Sequence, residues 1–358
     1  MRGTALRRLP LLRARALSAS AAAPNTDPYT AAAAHCLSLV QERDKEHYFA
    51  GIFIPPAARR AYFAVRALNV ELASIPATTG GNVSTAQLRV GWWRDAIAGM
   101  HAHGSVEVFP QHPVVTALTA AVREHGLTHG PMERLLEARE YDLTQAAADG
   151  FGSMAQVELY AAYTAGAQMQ LTLESLAAGR GRERDGRAFE MAGGVPDEAC
   201  EAARLAGVGA GIATLLRGTA HHVRVGQLYL PRCAMDAAGA NAHDVAVAAA
   251  GGHSCGNPEH AHGGDDDGGA GESGAKVKAV VVEMAGVARE RLAEAKALQG
   301  RIPAELRPAL LPATLAEHWL GRLEEAGHDV FDAERLGGRT PVSLQVQMWW
   351  RSTRGVFL

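Results

Sequence analysis

The sequence has few cysteines, and this excludes two classes of small, cross-linked protein. It contains four, and none of them forms a CxxC pair. Zinc ribbons need closely spaced cysteine pairs, and disulfide frameworks need a denser set, so neither is indicated. The expected state is that of free, buried thiols, which is the usual habit of unpaired cysteine. The four residues are Cys36, Cys200, Cys233 and Cys255.

An excess of positive charge and a long uncharged apolar run are also missing. The net charge is −3, so electrostatics gives no reason to expect a nucleic-acid partner. No uncharged apolar stretch reaches about 18 residues, so we expect no transmembrane helix, and any membrane association would be peripheral. What the sequence does have is 358 residues that are 47% hydrophobic, enough to bury a large core.

The N-terminal segment differs in composition from the rest of the chain. Five arginines lie among its first 15 residues, serines follow, and the first acidic residue is Asp27. Arginine-rich, serine-containing and acid-free composition is typical of an organellar transit peptide. We therefore predict a transit peptide over residues 1–28 and a folded domain over residues 29–350. A disordered basic tail and a chloroplast address remain alternatives.

Helical periodicity runs through nearly the whole of the predicted domain. Apolar residues recur every three or four positions, as at Ala61, Val65, Leu68, Leu72 and Ile75. No segment shows the period-two alternation of a half-buried strand, so the predicted class is all-α. Three glycines within one periodic segment predict very close packing of two helices there. They are Gly207, Gly209 and Gly211.

One internal stretch interrupts this pattern. Residues 250–275 are rich in glycine and polar side chains and offer almost nothing to bury, which predicts a disordered surface insertion. The histidines and aspartates within it could bind a metal adventitiously, but their crowding in a glycine tract fixes no coordination geometry. A solvated loop is the simpler interpretation.

Two helical segments carry polar or small residues on a single face. Gly218, His221 and His222 are related by three and four positions and therefore share a face. Asn69 and Ala73 likewise share a face, with Glu71 pointing elsewhere. Two such faces opposed in a helical bundle predict a cavity between them.

Four segments in order resemble the squalene/phytoene synthase family. They are "RDKEHYFAGIFIPPAARRAYFAVRALNVELASI" (43–75), "QLRVGWWRDAI" (87–97), "EAREYDL" (137–143) and "GVGAGIATLLRGTAHHVRVGQLYLP" (207–231). The resemblance runs, with gaps, from about residue 31 to 350. It implies a single-domain, isoprenoid-synthase-like helical bundle.

The resemblance also shows what is missing from the site. Active members of the family carry two D-x-x-x-D motifs whose carboxylates hold the Mg²⁺ ions that neutralise a diphosphate leaving group. The first motif falls here on Asn69, Glu71 and Ala73, and the second on Gly218, His221 and His222. Neutral histidine is a poor ligand for Mg²⁺, and glycine and alanine side chains offer none. We therefore predict a pseudoenzyme with no catalytic residue, no metal and no cofactor.

Six further residues in the matched segments are candidates for cavity or anion contacts. Packing is the usual role of aromatic residues at helical spacing, and arginines on helices usually face solvent. The paired histidines, His221 and His222, titrate near neutral pH, but no nucleophile or carboxylate is placed beside them, which favours a structural role. The candidate contacts are Tyr48, Arg59, Arg66, Arg217, Arg224 and Tyr229.

Within the superfamily, the chain resembles a branch with degenerate aspartate motifs, the mitochondrial complex I assembly factor 6 branch. The matching pieces are "ALNVELA" (67–73), preceded by Arg43, Asp44 and Tyr48, and "LLRGTAHH" (215–222). This resemblance implies complex I subunits or other assembly factors as partners. It also implies peripheral contact with the matrix face of the mitochondrial inner membrane. The cavity between the two degenerate motifs leaves room for a lipid or isoprenoid ligand.

Two other functions stay open from the residues alone. A divergent Mg²⁺-dependent prenyl transferase would use Glu71, Glu140, Asp142 and the two histidines around one metal. A lipid or quinone carrier would use the cavity without any chemistry.

Overall fold

Helices build the part of the chain that the computed structural model describes, residues 28–103, 112–144, 149–185, 195–251, 267–337 and 342–356. The α-helices are α1 (Pro28–Arg43), α2 (Lys45–Ile52), α3 (Pro56–Ala73), α4 (Ile75–Thr78), α5 (Val83–His103), α6 (Pro113–His125), α7 (His129–Asp142), α8 (Met154–Ala161), α9 (Ala167–Asp185), α10 (Asp197–Arg224), α11 (Arg232–Ala237), α12 (Ala242–Gly251), α13 (Asp267–Leu298), α14 (Leu311–Glu325), α15 (Ala333–Leu336) and α16 (Val342–Arg354). A π-helical turn, Ala162–Gly166, joins α8 to α9, and two 3-10 turns, Gln299–Arg301 and Arg307–Leu310, precede α14. Within these ranges β-type pairing is limited to one isolated bridge, between Phe151 and Pro231. The all-α prediction is confirmed.

Helix α10 lies at the centre of the bundle and packs against α8, α9, α13 and α14. It is long and apolar enough to cross a membrane by length and composition, yet 78% of its most apolar window is buried inside the protein. Core helices of water-soluble domains pass the same test, and the continuous burial of residues 205–213 explains why this part of the helix is hydrophobic all round.

The glycines of α10 allow its neighbours to approach closely, as predicted. A Cβ on Gly207 would lie 2.7 Å from the backbone nitrogen of Gly166, in the π-helical turn. A Cβ on Gly211 would lie 2.6 Å from the Cβ of Ala161. Such distances are shorter than carbon contacts permit, so only glycine fits between these backbones.

The aromatic residues of the matched segments contribute mainly to the core. Trp93 is fully buried, and its ring packs edge-on against Trp92 with centroids 5.0 Å apart. Tyr48 packs against Phe63 at 5.9 Å. Helix α3, which carries Phe63, packs against α1, α6 and α9, and α9 in turn packs against α10. Helix α9 therefore connects the two helices on which the polar faces lie.

Three sequence predictions differ from the structure or lie outside it. Residues 267–275, predicted as part of a disordered insertion, form the first turns of α13, because α13 packs on α12 and Ser273 donates a 2.6 Å hydrogen bond to Asp244. Tertiary packing thus outweighs the low helix propensity of glycine here. Residues 252–266 of the insertion and residues 1–27 of the transit peptide lie outside the described residues. Of the cysteines, Cys36 is buried, but Cys200 and Cys233 are exposed.

Candidate functional site

A cavity of about 260 Å³ lies between α3, α7, α9, α10 and α14. Asn69 and Ala73 line it from α3, and His222 lines it from α10. The two faces that the sequence predicts to be opposed therefore do meet at one cavity. Glu71 is not among the lining residues and His221 is exposed, so only some residues of each motif lie at the cavity.

The imidazole of His222 fills the space that a side chain at position 218 would occupy. A Cβ on Gly218 would lie 2.8 Å from His222 Nε2. The same ring packs edge-on against Tyr229, with centroids 4.6 Å apart. The second degenerate motif thus presents a packed histidine ring, where an acid at position 218 would clash with it.

Asp142 is a carboxylate beside the cavity whose two oxygens are both hydrogen-bonded. Its Oδ1 accepts hydrogen bonds from Tyr160 at 2.8 Å and Tyr229 at 2.6 Å. Its Oδ2 accepts one from Arg139 Nη1 at 2.6 Å. Burial raises the pKa values of both tyrosines, and the charge of Asp142 raises them further, so both hydroxyls remain donors. Both oxygens of Asp142 are therefore committed to structural partners.

A second buried cluster joins α3 to the start of α2. Arg66 forms an ion pair with Asp44, which also accepts a 2.7 Å hydrogen bond from His47 Nδ1. Burial opposes ionisation of Asp44, but Arg66 and His47 hold the pKa of its carboxyl well below its ordinary value. Burial, and then the charge of Arg66, lowers the pKa of His47. The cluster is therefore a carboxylate–guanidinium pair with a neutral imidazole beside it.

Every arginine that lines the cavity has a carboxylate partner. Arg66 pairs with Asp44, Arg139 with Asp142, and Arg217 with Glu46. The two lining histidines, His47 and His222, both have lowered pKa values, so neither adds positive charge near pH 7. The wall is thus close to electrically balanced, and a multiply charged anion entering it would have to displace an existing ion pair.

The remaining predicted anion contacts lie elsewhere. Arg59 donates to the backbone oxygens of Ile54 at 3.0 Å and Ile52 at 2.8 Å, where it closes the end of α2. Arg224 is exposed and donates to the oxygen of Ala220, one turn back on its own helix. Tyr48 and Tyr229 are absent from the cavity lining, since Tyr48 packs on Phe63 and Tyr229 donates a hydrogen bond to Asp142.

The acids of the alternative catalytic scheme are not arranged around a metal position. Glu140 pairs with Arg94 at 2.7 Å, and Asp142 is occupied as described. In the described residues, no three side chains among His, Cys, Asp and Glu cluster in a way that could hold a metal ion. The donor set therefore does not fit the Mg²⁺ ions that a prenyl synthase uses, because Mg²⁺ needs several oxygen ligands converging on one point.

Several residues that shape the cavity were not candidates from the sequence. Asp44, Glu46 and Arg139 balance its charges, and Gln168 lies in its wall, 5% exposed. The spacing of Arg139 and Asp142, three positions apart on one helix, is a detectable sequence pattern for an ion pair. The pairing of Glu46 with Arg217 joins segments far apart in the chain, and no local pattern indicates it.

The half-buried imidazole of His222 should make stability depend on pH. Burial, and then the nearby charges of His221 and Arg139, lower its pKa to about 4. The unfolded chain binds the proton below about pH 6.5, whereas the folded chain resists it, so acidification favours unfolding. We expect this residue to remove about 2–3 kcal/mol of stability between about pH 6.5 and about pH 4.

Urea unfolding measured across that range checks this expectation. His222→Gln should lose less stability on acidification than the natural protein by that amount, whereas His243→Gln, at an exposed position, should keep the natural profile. Identical pH profiles for His222→Gln and the natural protein would contradict the assignment.

Two solved structures that share this architecture are a dehydrosqualene synthase and a squalene synthase. A dehydrosqualene synthase crystallised with a ligand superposes with a TM-score of 0.66 at 16% identity, covering 92% of this chain and 98% of that chain. A squalene synthase from Alicyclobacillus acidocaldarius gives a TM-score of 0.63 at 15% identity, covering 84% and 96%. At these identities the likeness shows a shared fold, and the predicted isoprenoid-synthase-like bundle is confirmed.

Proteins that are similar to the chain in sequence are named as assembly factors, whereas the two solved structures are named as synthases. The chain is 29% identical over 351 residues to NADH dehydrogenase (ubiquinone) complex I, assembly factor 6, of Rattus norvegicus, covering 96% of this chain and 89% of the relative. The Dictyostelium discoideum homolog of that factor is 28% identical, covering 81% and 69%. The model of the squalene/phytoene synthase family matches residues 40–345. Since that match spans most of the chain and the helical fold agrees with it, the chain belongs to the squalene/phytoene synthase family.

Proposed function

We propose that this chain is a non-catalytic assembly factor for mitochondrial respiratory complex I, built on the fold of a prenyl synthase. The observation that carries the proposal is the composition of the two cavity faces. Where a synthase needs carboxylates, this chain has Asn69, Ala73, Gly218 and His222. Asn69, Ala73 and His222 line the cavity, and the ring of His222 covers Gly218.

The chemistry of diphosphate departure explains why these residues matter. A diphosphate leaves carbon only when its charge is neutralised, and synthases of this fold do this with Mg²⁺ held by carboxylates. The arginines of this cavity are already paired with acids of the protein. The described residues offer no cluster of acidic, histidine or cysteine side chains that could hold a metal ion, and no unpaired arginine in the cavity wall, which supports a pseudoenzyme.

The relatives supply the biological side of the proposal. Their names are those of assembly factors of complex I, and the match extends over most of both chains. An arginine-rich, acid-free N-terminal segment fits import into mitochondria. We place the mature protein at the matrix face of the inner membrane, in contact with complex I subunits or other assembly factors.

The cavity itself suits a neutral ligand, a lipid or isoprenoid bearing an oxygen. Met169, Leu215 and Leu315 supply an apolar wall. Gln168 Oε1 and Trp319 Nε1, which also belong to lining residues, are buried without a hydrogen-bond partner among the described residues. Buried polar atoms of this kind are normally satisfied, so a hydroxyl or carbonyl group is the expected complement. Mass spectrometry of an organic extract of the purified protein identifies such an occupant.

Deletion of the gene tests the assembly function. Assembled complex I on native gels is expected to fall strongly in the deletion strain, while its squalene and carotenoid precursors stay at normal levels. Re-expression of the natural chain should restore complex I. A normal amount of complex I in the deletion strain would contradict the proposal.

An enzymatic assay on the purified protein separates this function from prenyl transfer. No release of pyrophosphate from farnesyl or geranylgeranyl diphosphate is expected with Mg²⁺ or Mn²⁺, with an active squalene synthase as the positive control. Metal-dependent release would instead support a divergent prenyl transferase.

A further inference from the structure

The outer face of helix α16 exposes an apolar patch of unusual composition. Val346, Trp349 and Trp350 lie three and four positions apart on this face and are 55%, 57% and 44% exposed. Tryptophan is among the most expensive side chains to leave in water because of its large apolar area. Two adjacent exposed tryptophans indicate an interaction surface. We name these three residues the tryptophan face.

The inner face of α16 holds the helix against the bundle. Leu344 and Met348 are 2% and 0% exposed. Arg351 forms an ion pair with Glu317 of α14 at 2.6 Å. Arg307 donates a 3.2 Å hydrogen bond to the oxygen of Gly355, just past the end of the helix. The helix is therefore docked, and the tryptophan face is displayed by a fixed element.

The charges at this helix all have one sign. Its sequence, "VSLQVQMWWRSTR", contains two arginines and no acidic residue. Exposed Arg354 places its guanidinium 4.2 Å from the centre of the Trp350 ring. Arg307 adds a further cation at the same end of the helix. Because Glu317 balances the charge of Arg351, the positive charge that borders the tryptophan face comes from Arg354 and Arg307, and it complements an anionic surface.

We propose that the tryptophan face of α16 binds the surface of an anionic lipid bilayer. Tryptophan prefers the headgroup level of a membrane, since its ring is apolar and its N–H is polar. Arginine beside it pairs with lipid phosphates, and a docked amphipathic helix gives peripheral attachment without a spanning segment. The proposal deepens the proposed function, since it rests on the peripheral membrane contact and names the residues that make it.

Vesicle binding by the purified full-length protein tests the proposal without involving complex I. The protein should co-sediment with phosphatidylcholine vesicles that contain cardiolipin, and more weakly with phosphatidylcholine alone. Trp349→Ser/Trp350→Ser should lower the partition coefficient about tenfold or more, because both rings leave the interface. Arg354→Gln should lower it about fivefold on cardiolipin vesicles only. Leu88→Ser, at a 76% exposed position on α5, is the matched control and should bind normally.

Fluorescence gives a second readout that does not depend on a variant. Of the five tryptophans, Trp93 and Trp319 are buried and Trp92 is half-buried, so quenching by brominated lipids reports mainly on the tryptophan face. Strong quenching is expected.

Three outcomes would overturn the proposal. The first is that the protein does not bind vesicles. The second is that the double tryptophan variant, with a circular dichroism spectrum like that of the natural protein, binds vesicles normally. The third is that the natural protein binds no vesicles but forms a dimer, and that the double variant abolishes this dimer. A normal complex I in the deletion strain would leave the vesicle result standing, so the two proposals fail separately.

Discussion

Replacement of Asp142 by alanine is expected to lower the free energy of unfolding by about 3–5 kcal/mol, the usual cost of leaving a buried ion without its partner. The carboxylate is 6% exposed and accepts hydrogen bonds from Arg139, Tyr160 and Tyr229. Its removal strands a guanidinium that is 15% exposed, together with two buried hydroxyls. Guanidinium chloride unfolding followed by circular dichroism measures the change.

The control for this substitution is an aspartate with no such partners. Asp236, in α11, is exposed. Asp236→Ala should change the free energy of unfolding by less than about 0.5 kcal/mol. Equal effects of the two substitutions would show that Asp142 does not organise the cavity wall.

Replacement of Gly207 by alanine should be the most damaging single-methyl change in α10. The added Cβ would meet the backbone of Gly166, at 2.7 Å from its nitrogen, and a backbone cannot rotate away as a side chain can. Overpacking of a tight core costs about 1–3 kcal/mol, and we expect a loss of about 3 kcal/mol here. A thermal melt of the variant should show the corresponding fall in Tm.

The same change at an open site should act in the opposite direction. Gly286 lies in α13, exposed, and a Cβ there would meet no atom within 4 Å. Gly286→Ala should stabilise the protein by about 0.5–1 kcal/mol, since alanine has the higher helix propensity. If Gly207→Ala melted at or above the natural temperature, the close approach of α10 to the π-helical turn would be wrong.

Much of the candidate site was predictable because it depends on local spacing. Helical periodicity places Asn69 and Ala73 on one face, and this face lines the cavity. Glycine spacing in α10 predicts close packing, which the structure confirms at Gly207 and Gly211. The predicted disorder of the insertion after residue 250 was wrong at its glycine-rich end, because that end becomes helical through contact with α12.

The sequence by itself determined the helical class and the two polar faces, since each follows from residue type and a fixed helical repeat. The absence of acids from both motifs was also readable from the sequence, but only through its resemblance to the family. Only the tertiary structure decided how the cavity's charges are balanced. Arg217 meets Glu46 from a position 171 residues away, and Arg66 meets Asp44 from 22 residues away. Such pairs depend on how helices dock, and no periodicity within one helix carries that information.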